Sequence, residues 1–219
     1  MNMGNGIERA LLIAAALVAV SAAPAAAQPW TLNDRRDGQK YKTVKIGDRI
    51  WMAENLNYKP KSGSWCYGDK ESNCEKYGRL YDFRTARTVC PPGWRIPEAG
   101  DWRELLTTAG GAGAAGEKLK ANIGWSGCGG KDCNGADEYG FAALPGGMRY
   151  HDNHEGDLNR AKDAGECGYW WTGSSPYGSG NYVRICSAYG YVYEDHSDGN
   201  ENALSVRCVM GLRASCCGN

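Results

Sequence analysis

The chain has only two Phe and three His in 219 residues, and its 25 Lys+Arg are balanced by 25 Asp+Glu. Each scarcity excludes something. Without a basic stripe there is no electrostatic footprint for nucleic acid, and nucleic-acid binding is set aside. Zinc sites need CxxC pairs or His partners at ligand spacing. Here the nearest pairs are Cys128/Cys133 and the adjacent Cys216-Cys217, and His is scarce. There is no Gly-x-Ser-x-Gly elbow, phosphate loop or HExxH. Beyond residue 27 no segment is apolar enough to span a bilayer, which takes about 20 residues. Internal repeats of useful length are also missing.

What is present begins at the N terminus. Glu8 and Arg9 precede an apolar run from Ala10 to Val20, Pro24 breaks it, and Ala25-Ala26-Ala27 precedes Gln28. A basic residue, a short apolar stretch and an A-x-A site describe a cleavable secretory signal over 1–27. No Cys lies near that site, so a lipid anchor is not expected there. About 190 residues would remain, a natural size for one domain. All ten Cys follow the signal. An even, large number of Cys in an exported chain reads as a disulfide framework. The aromatic balance is uneven, with 13 Tyr and 8 Trp beside 31 Gly. Tyr and Trp suit surfaces that are half apolar and half wet.

Residues 28–36 form a polar lead-in. From Gln39 the chain alternates, with Tyr41, Thr43 and Lys45 on one face and Val44 and Ile46 on the other. Gly47-Asp48 then turns it into Arg49–Ala53, which predicts a β-hairpin. Lys59 to Asn73 is turn-rich. Leu80, Phe83, Ala86 and Val89 recur every three residues and predict a short helix over 77–89, which Pro91-Pro92 ends. A second helix follows Pro97, with Trp102, Leu105, Leu106 and Ala109 on one side and Gly110-Gly111 as its stop. A weaker helical stretch covers 114–121. Phe141 to Leu144 reads as a short strand, and 148–166 as polar loop. Strands return at 169–172, 182–187, 191–194 and 204–209. The order is that of an α+β domain.

Six blocks of this sequence are familiar together: DGQKYKTVKIGDRIWMAENLNY (37–58), SWCYGDKESNCEKYGRLYDF (64–83), CPPGWRIPEAGDWREL (90–105), DEYGFAALPGG (137–147), GYWWTGS (168–174) and SVRCV (205–209). In this order and spacing they resemble the Fibrobacter succinogenes major paralogous domain, a bacterial exported family, over 37–210, with a Cys-containing tail at 211–219. The resemblance implies a C-type-lectin-like fold, shared with bacterial adhesin tips, phage receptor-binding proteins and formylglycine-generating enzymes. It supplies no activity. It also implies the staples: Cys66/Cys74 within the turn-rich segment, and Cys90/Cys208 as the long-range bridge of the lectin fold. The long bridge closes a large loop, worth about 4–5 kcal/mol in the chain-entropy account. Cys128/Cys133 and Cys167/Cys186 are the next pairs, and Cys216-Cys217 stays open.

The aromatic C-terminal third is the leading functional candidate. Trp170, Trp171, Tyr177, Tyr182, Arg184, Tyr189, Tyr191 and Tyr193 lie among Gly, Ser and Asn, a composition that binding surfaces use because rigid aromatics give contact area at low entropy cost. Trp170 and Trp171 are assigned to the core. With Val183 and Ile185 pointing inward, Tyr182 and Arg184 point outward. Those two, with Tyr189, Tyr191 and Tyr193, form the expected ligand-binding surface. His151, Asp152, His154, Glu155 and Asp157 make a possible metal cluster, but a Gly- and Asn-rich loop gives them no fixed geometry, so a solvated loop is preferred. Glu194, Asp195, Asp198, Asn200, Glu201 and Asn202 are oxygen ligands of the type calcium takes. The ordered Asp-x-Asp-x-Asp-Gly loop and the Glu-Pro-Asn sugar motif are absent.

The reading is an exported, non-catalytic binding domain without a required cofactor, calcium being the one candidate. Its expected partner is a glycan or a cell-surface protein. Three rivals are a structural envelope module, a formylglycine-generating type of enzyme using Cys186 or Cys208 as reactive thiols, and a calcium lectin. Paired carboxylates of a glycosidase are tertiary features, and no pair stands out in the sequence.

Overall fold

A computed structural model describes residues 1, 30–150, 160–173, 180–196 and 202–211. The expected signal, the His151–Asp157 cluster, Tyr177, residues 198–201 and Cys216-Cys217 lie outside the described residues.

The segment read as a lead-in carries a strand, β1 (Trp30–Asn33), which runs antiparallel to β2 (Lys40–Ile46) from Trp30↔Thr43 to Asn33↔Lys40. β2 turns through Gly47-Asp48 into β3 (Arg49–Met52), as the alternation predicts. Gly47 sits at φ 59, in the left-handed region that favours glycine. The turn-rich stretch resolves into β4 (Ser64–Trp65), a 3-10 turn (Tyr67–Asp69) and α1 (Glu71–Tyr77). The single helix expected over 77–89 is instead β5 (Leu80–Asp82) followed by one turn, α2 (Phe83–Ala86). The Asp82 carboxylate accepts from the Thr85 backbone N–H at 2.7 Å and so starts the helix there. Leu80, Phe83, Ala86 and Val89 are all buried nonetheless, which is why the spacing misled.

α3 (Ala99–Thr108) and α4 (Ala112–Leu119) follow, close to the expected positions. At the start of α3 the Asp101 carboxylate accepts from the Glu98 backbone N–H at 2.8 Å. The strand expected over 141–144 reduces to one bridge, Lys120↔Ala143. The expected loop 148–166 holds strand instead: β6 (Gly146–Tyr150) and β7 (Arg160–Ala164). Then come β8 (Cys167–Thr172), β9 (Asn181–Cys186) and β10 (Val192–His196). The last expected strand, 204–209, is split into β11 (Ala203–Ser205) and β12 (Val209–Gly211).

That split joins the molecule. β12 closes a four-stranded sheet ordered β1-β2-β3-β12, while β11 lies inside a second sheet ordered β10-β9-β8-β6-β11-β5-β4, with β7 paired to β6. The architecture is α+β, dominated by sheet, with a few short helices.

Two buried clusters lie on opposite faces of the strands. The first gathers Val44, Ile46 and Trp51 with Trp102, Leu105 and Phe141. The second gathers Tyr41, Met52, Leu56, Tyr81 and Phe83. Because successive strand residues point to opposite faces, Trp170 enters the first cluster and Trp171 the second, both with no exposed surface. Each indole N–H finds an acceptor: Trp170 donates to Asn55 Oδ1 at 2.8 Å and Trp171 to the Tyr81 carbonyl at 2.6 Å. The assignment of both to the core holds.

Asn55 and Arg207 link the sheets. Asn55 donates to the Tyr77 carbonyl at 2.8 Å, and its Oδ1 also accepts from Arg207 Nε at 3.2 Å. Fully buried Arg207 donates further to the carbonyls of Phe141 and Ala142 and stacks 4.2 Å over the Phe141 ring. Burial pushes its guanidinium down to about 9. The four bridges implied by the resemblance are formed: Cys66–Cys74, Cys90–Cys208, Cys128–Cys133 and Cys167–Cys186. Among the described residues no helix is long and apolar enough to cross a membrane.

Candidate functional site

The site is built by the register of β8, β9 and β10. Tyr169 faces Arg184, which faces Tyr193, and one step along Trp171 faces Tyr182, which faces Asp195. The opposite surface of these strands carries Val183, Ile185 and Val192, all buried, so the inward direction predicted for Val183 and Ile185 holds. The Cys167–Cys186 bridge joins β8 and β9 at one end of the same pair.

The connection from β9 to β10 carries Tyr189 and Tyr191, which are 61% and 45% exposed. It is tied down at several points. The Gly116 backbone N–H in α4 donates to the Gly190 carbonyl at 2.9 Å, an approach so close that a Cβ on Gly116 would sit 2.6 Å from that oxygen. Buried Lys120 donates to the Ser187 carbonyl at 3.4 Å, while also reaching Glu117 at 2.9 Å and the Cys133 carbonyl at 3.1 Å. Ser187 N–H donates to the Glu166 carbonyl at 2.7 Å. The exposed tyrosines therefore stand on a fixed loop.

Tyr191 and Tyr193 pack with ring centroids 4.6 Å apart, and the Arg184 guanidinium lies 4.8 Å from the centre of the Tyr193 ring. Arg184 Nε is buried and has no hydrogen-bond partner among the described residues. No acceptor or ion pair is found for the rest of its guanidinium among the described residues. Tyr169, beside it in the register, donates to Asp163 Oδ2 at 2.6 Å. Burial, followed by the Asp163 bond, raises the Tyr169 phenol well above its ordinary value, so it stays protonated. What this face offers is aromatic contact area and unused guanidinium donors.

Of the five predicted residues, Arg184, Tyr191 and Tyr193 come together, and Tyr189 stands exposed on the same loop. Tyr182 goes elsewhere: it is half-buried, 5.8 Å from Tyr169 and 6.3 Å from Trp171 between ring centroids, and packs against the second core. Tyr169 and Asp163 were missed, because only the β8–β9 pairing shows that Tyr169 shares a row with Arg184.

The rival chemistries find little support in the geometry. Among the described residues, Cys66, Glu71 and Cys74 approach one another closely enough to share a metal ion. Their two sulfurs are joined as a disulfide, with the buried Arg79 guanidinium 3.4 Å from Cys74 Sγ, so the trio is not a ligand set in this state. Of the oxygen-rich stretch, Glu194 is exposed and Asp195 half-buried; Asp198, Asn200 and Glu201 lie outside the described residues. Cys186 and Cys208 are bridged to Cys167 and Cys90, which takes away the free thiols that a formylglycine-generating mechanism requires.

Neither a curated protein nor a solved structure matches this chain significantly. One family does, over residues 44–210, and this span runs from within β2 to β12, leaving out β1 but taking in the helices, the whole second sheet and the four bridges. Its description assigns no reaction and no ligand; the chain belongs to the Fibrobacter succinogenes major domain family.

Proposed function

We propose that this protein is an exported, non-catalytic binding domain that recognises carbohydrate on a cell or polymer surface through the Arg184–Tyr191–Tyr193 face. The observation that carries the reading is Arg184. A guanidinium is an expensive group to leave without acceptors in a half-buried position, yet Arg184 is stacked on Tyr193 with its Nε unpartnered. A ligand oxygen would satisfy it, and the neighbouring tyrosines would stack on the apolar C–H face of a sugar ring. We read the fold as C-type-lectin-like, supported by the α+β order and by the Cys90–Cys208 bridge between the helical half and the C-terminal strands. Export is supported by the four disulfides, which persist in oxidising compartments.

Glycan-array binding of the oxidised protein tests this reading. Saturable binding to a restricted set of glycans is expected, with Arg184→Ala weakening it by about tenfold or more, the worth of a charge-assisted hydrogen bond. Silence across the array, with envelope proteins recovered in crosslinking instead, would replace it by a structural interaction module.

A further inference from the structure

The four-stranded sheet carries a second place where a ligand fits. On one surface of that sheet the register lines up Trp30 with Thr43, Thr43 with Met52, and Met210 with Ile50. Toward Tyr41 and Met52 this surface is covered by the second core. Toward Trp30, Ile50 and Met210 it opens into a groove of about 350 Å³ that Trp94 also lines. That volume lies within the ~300–1,000 Å³ of ordinary small-molecule sites and suits a short saccharide rather than a protein surface.

Two features of the groove point to its occupant. The first is apolar: Trp30 is 51% exposed on an edge strand and Trp94 is half-buried, so two indoles border the groove while much of the Trp30 ring stays in water. The second is charge. Arg35 lines the groove, and exposed Lys45 projects from the same surface of the sheet, directly opposite Ile50. Neither has an ion-pair partner among the described residues, and no carboxylate lines the groove. In a chain with equal numbers of acidic and basic residues, a groove whose one charged lining residue is Arg35, with Lys45 on the same sheet surface and two indoles at its border, is complementary to an anionic ring.

We infer that this groove binds a carboxylate-bearing sugar unit of an acidic polysaccharide, with the pyranose against Trp30 and Trp94 and the carboxylate at Arg35 and Lys45. Arg35 supplies a planar fork that matches a carboxylate bidentately, and Lys45 a point charge. The site lies on the other sheet from Arg184 and does not depend on ligand binding there.

The test is titration of the full chain, expressed into an oxidising compartment, with polygalacturonate and with the same polymer fully methyl-esterified, followed by Trp fluorescence and calorimetry. Polygalacturonate is expected to bind at least about tenfold more tightly than its neutral ester, because the ester loses the charge-assisted bonds. Trp30→Ala and Arg35→Ala should each weaken that binding, and both positions are exposed enough for the variants to fold. Lys61→Ala, at an exposed lysine outside the groove lining, should leave it unchanged, which separates this groove from general attraction to surface charge. Equal binding of the two polymers, or full retention by Trp30→Ala, would overturn the inference. Binding of poly-glutamate as tight as that of polygalacturonate would also overturn it and reassign the groove to acidic peptide.

Discussion

Among the arginines that lie on aromatic rings, Arg207 and Arg184 live by opposite rules. Arg207 is fully buried, 4.2 Å from the centre of Phe141, with acceptors in Asn55, Phe141 and Ala142. Arg184 is half-buried, 4.8 Å from the centre of Tyr193, and its Nε has no acceptor among the described residues. The first is a structural bolt. It takes up the carbonyls of Phe141 and Ala142, which lie outside the strands, and ties them to Asn55. The second has the same stacking without the bolt, which is why we propose an outside partner for its donors. Similar local chemistry thus separates into scaffold and proposed site according to whether backbone carbonyls surround it.

The comparison breaks most easily at Arg207. Arg207→Leu removes the charge but leaves the Phe141 and Ala142 carbonyls buried and unpaired, a cost of about 3 kcal/mol or more. Urea denaturation should show this as a lower midpoint at unchanged slope, and a near-neutral result would mean that the loop reorganises to find other donors.

Asp101 represents the middle case, in which arginines are answered by a carboxylate. Arg49 and Arg95 reach it at 2.7 and 2.6 Å, and Glu98 N–H adds a third bond. Burial alone would raise its pKa, but the arginine and backbone bonds outweigh it and bring the group down to about 2. The folded value lies below the unfolded value of about 3.9, so this contribution is complete above pH 4 and fades as pH falls toward 2. Both arginines are partly solvent-exposed, which limits the effect to about 1–2 kcal/mol. Stability measured between pH 5 and pH 2 should fall less steeply in Asp101→Asn than in the parent; parallel profiles would assign the acid sensitivity elsewhere.

The smallest effect on stability belongs to Arg184. Arg184→Met keeps apolar contact with Tyr193 and removes an unsatisfied Nε, so the change should lie within about 0.5 kcal/mol of zero. Its effect should appear in ligand binding instead. A loss of several kcal/mol on thermal denaturation would show that Arg184 is a second bolt.

The legible parts of the fold are those whose partners are close in sequence. The β2–β3 hairpin follows from alternation across Gly47-Asp48, and α3 from the spacing of Trp102, Leu105 and Leu106 between Pro97 and Gly110. The four bridges came through the family resemblance. Leu80–Asp82 was misread because three residues cannot show a period of two. What makes it a strand is pairing with Ala203–Ser205, more than a hundred residues away. The same holds for Trp30–Asn33, four residues too few to show a clear period, which only pairing with β2 makes an edge strand. At the candidate site the outward Arg184 was readable from Val183 and Ile185, while the loss of Tyr182 to Trp171 and Tyr169 was not.

By itself the sequence determined the class of molecule: a Cys-rich, Tyr- and Trp-rich α+β chain of its family, with an aromatic C-terminal third. Those properties are local or compositional, and they survive any arrangement of the strands. Only the tertiary structure decided which tyrosines face water, which arginine has acceptors, and that Trp30 and Trp94 border one groove. Side-chain direction in a strand follows from pairing register, and register here is set by partners that the chain order does not reveal.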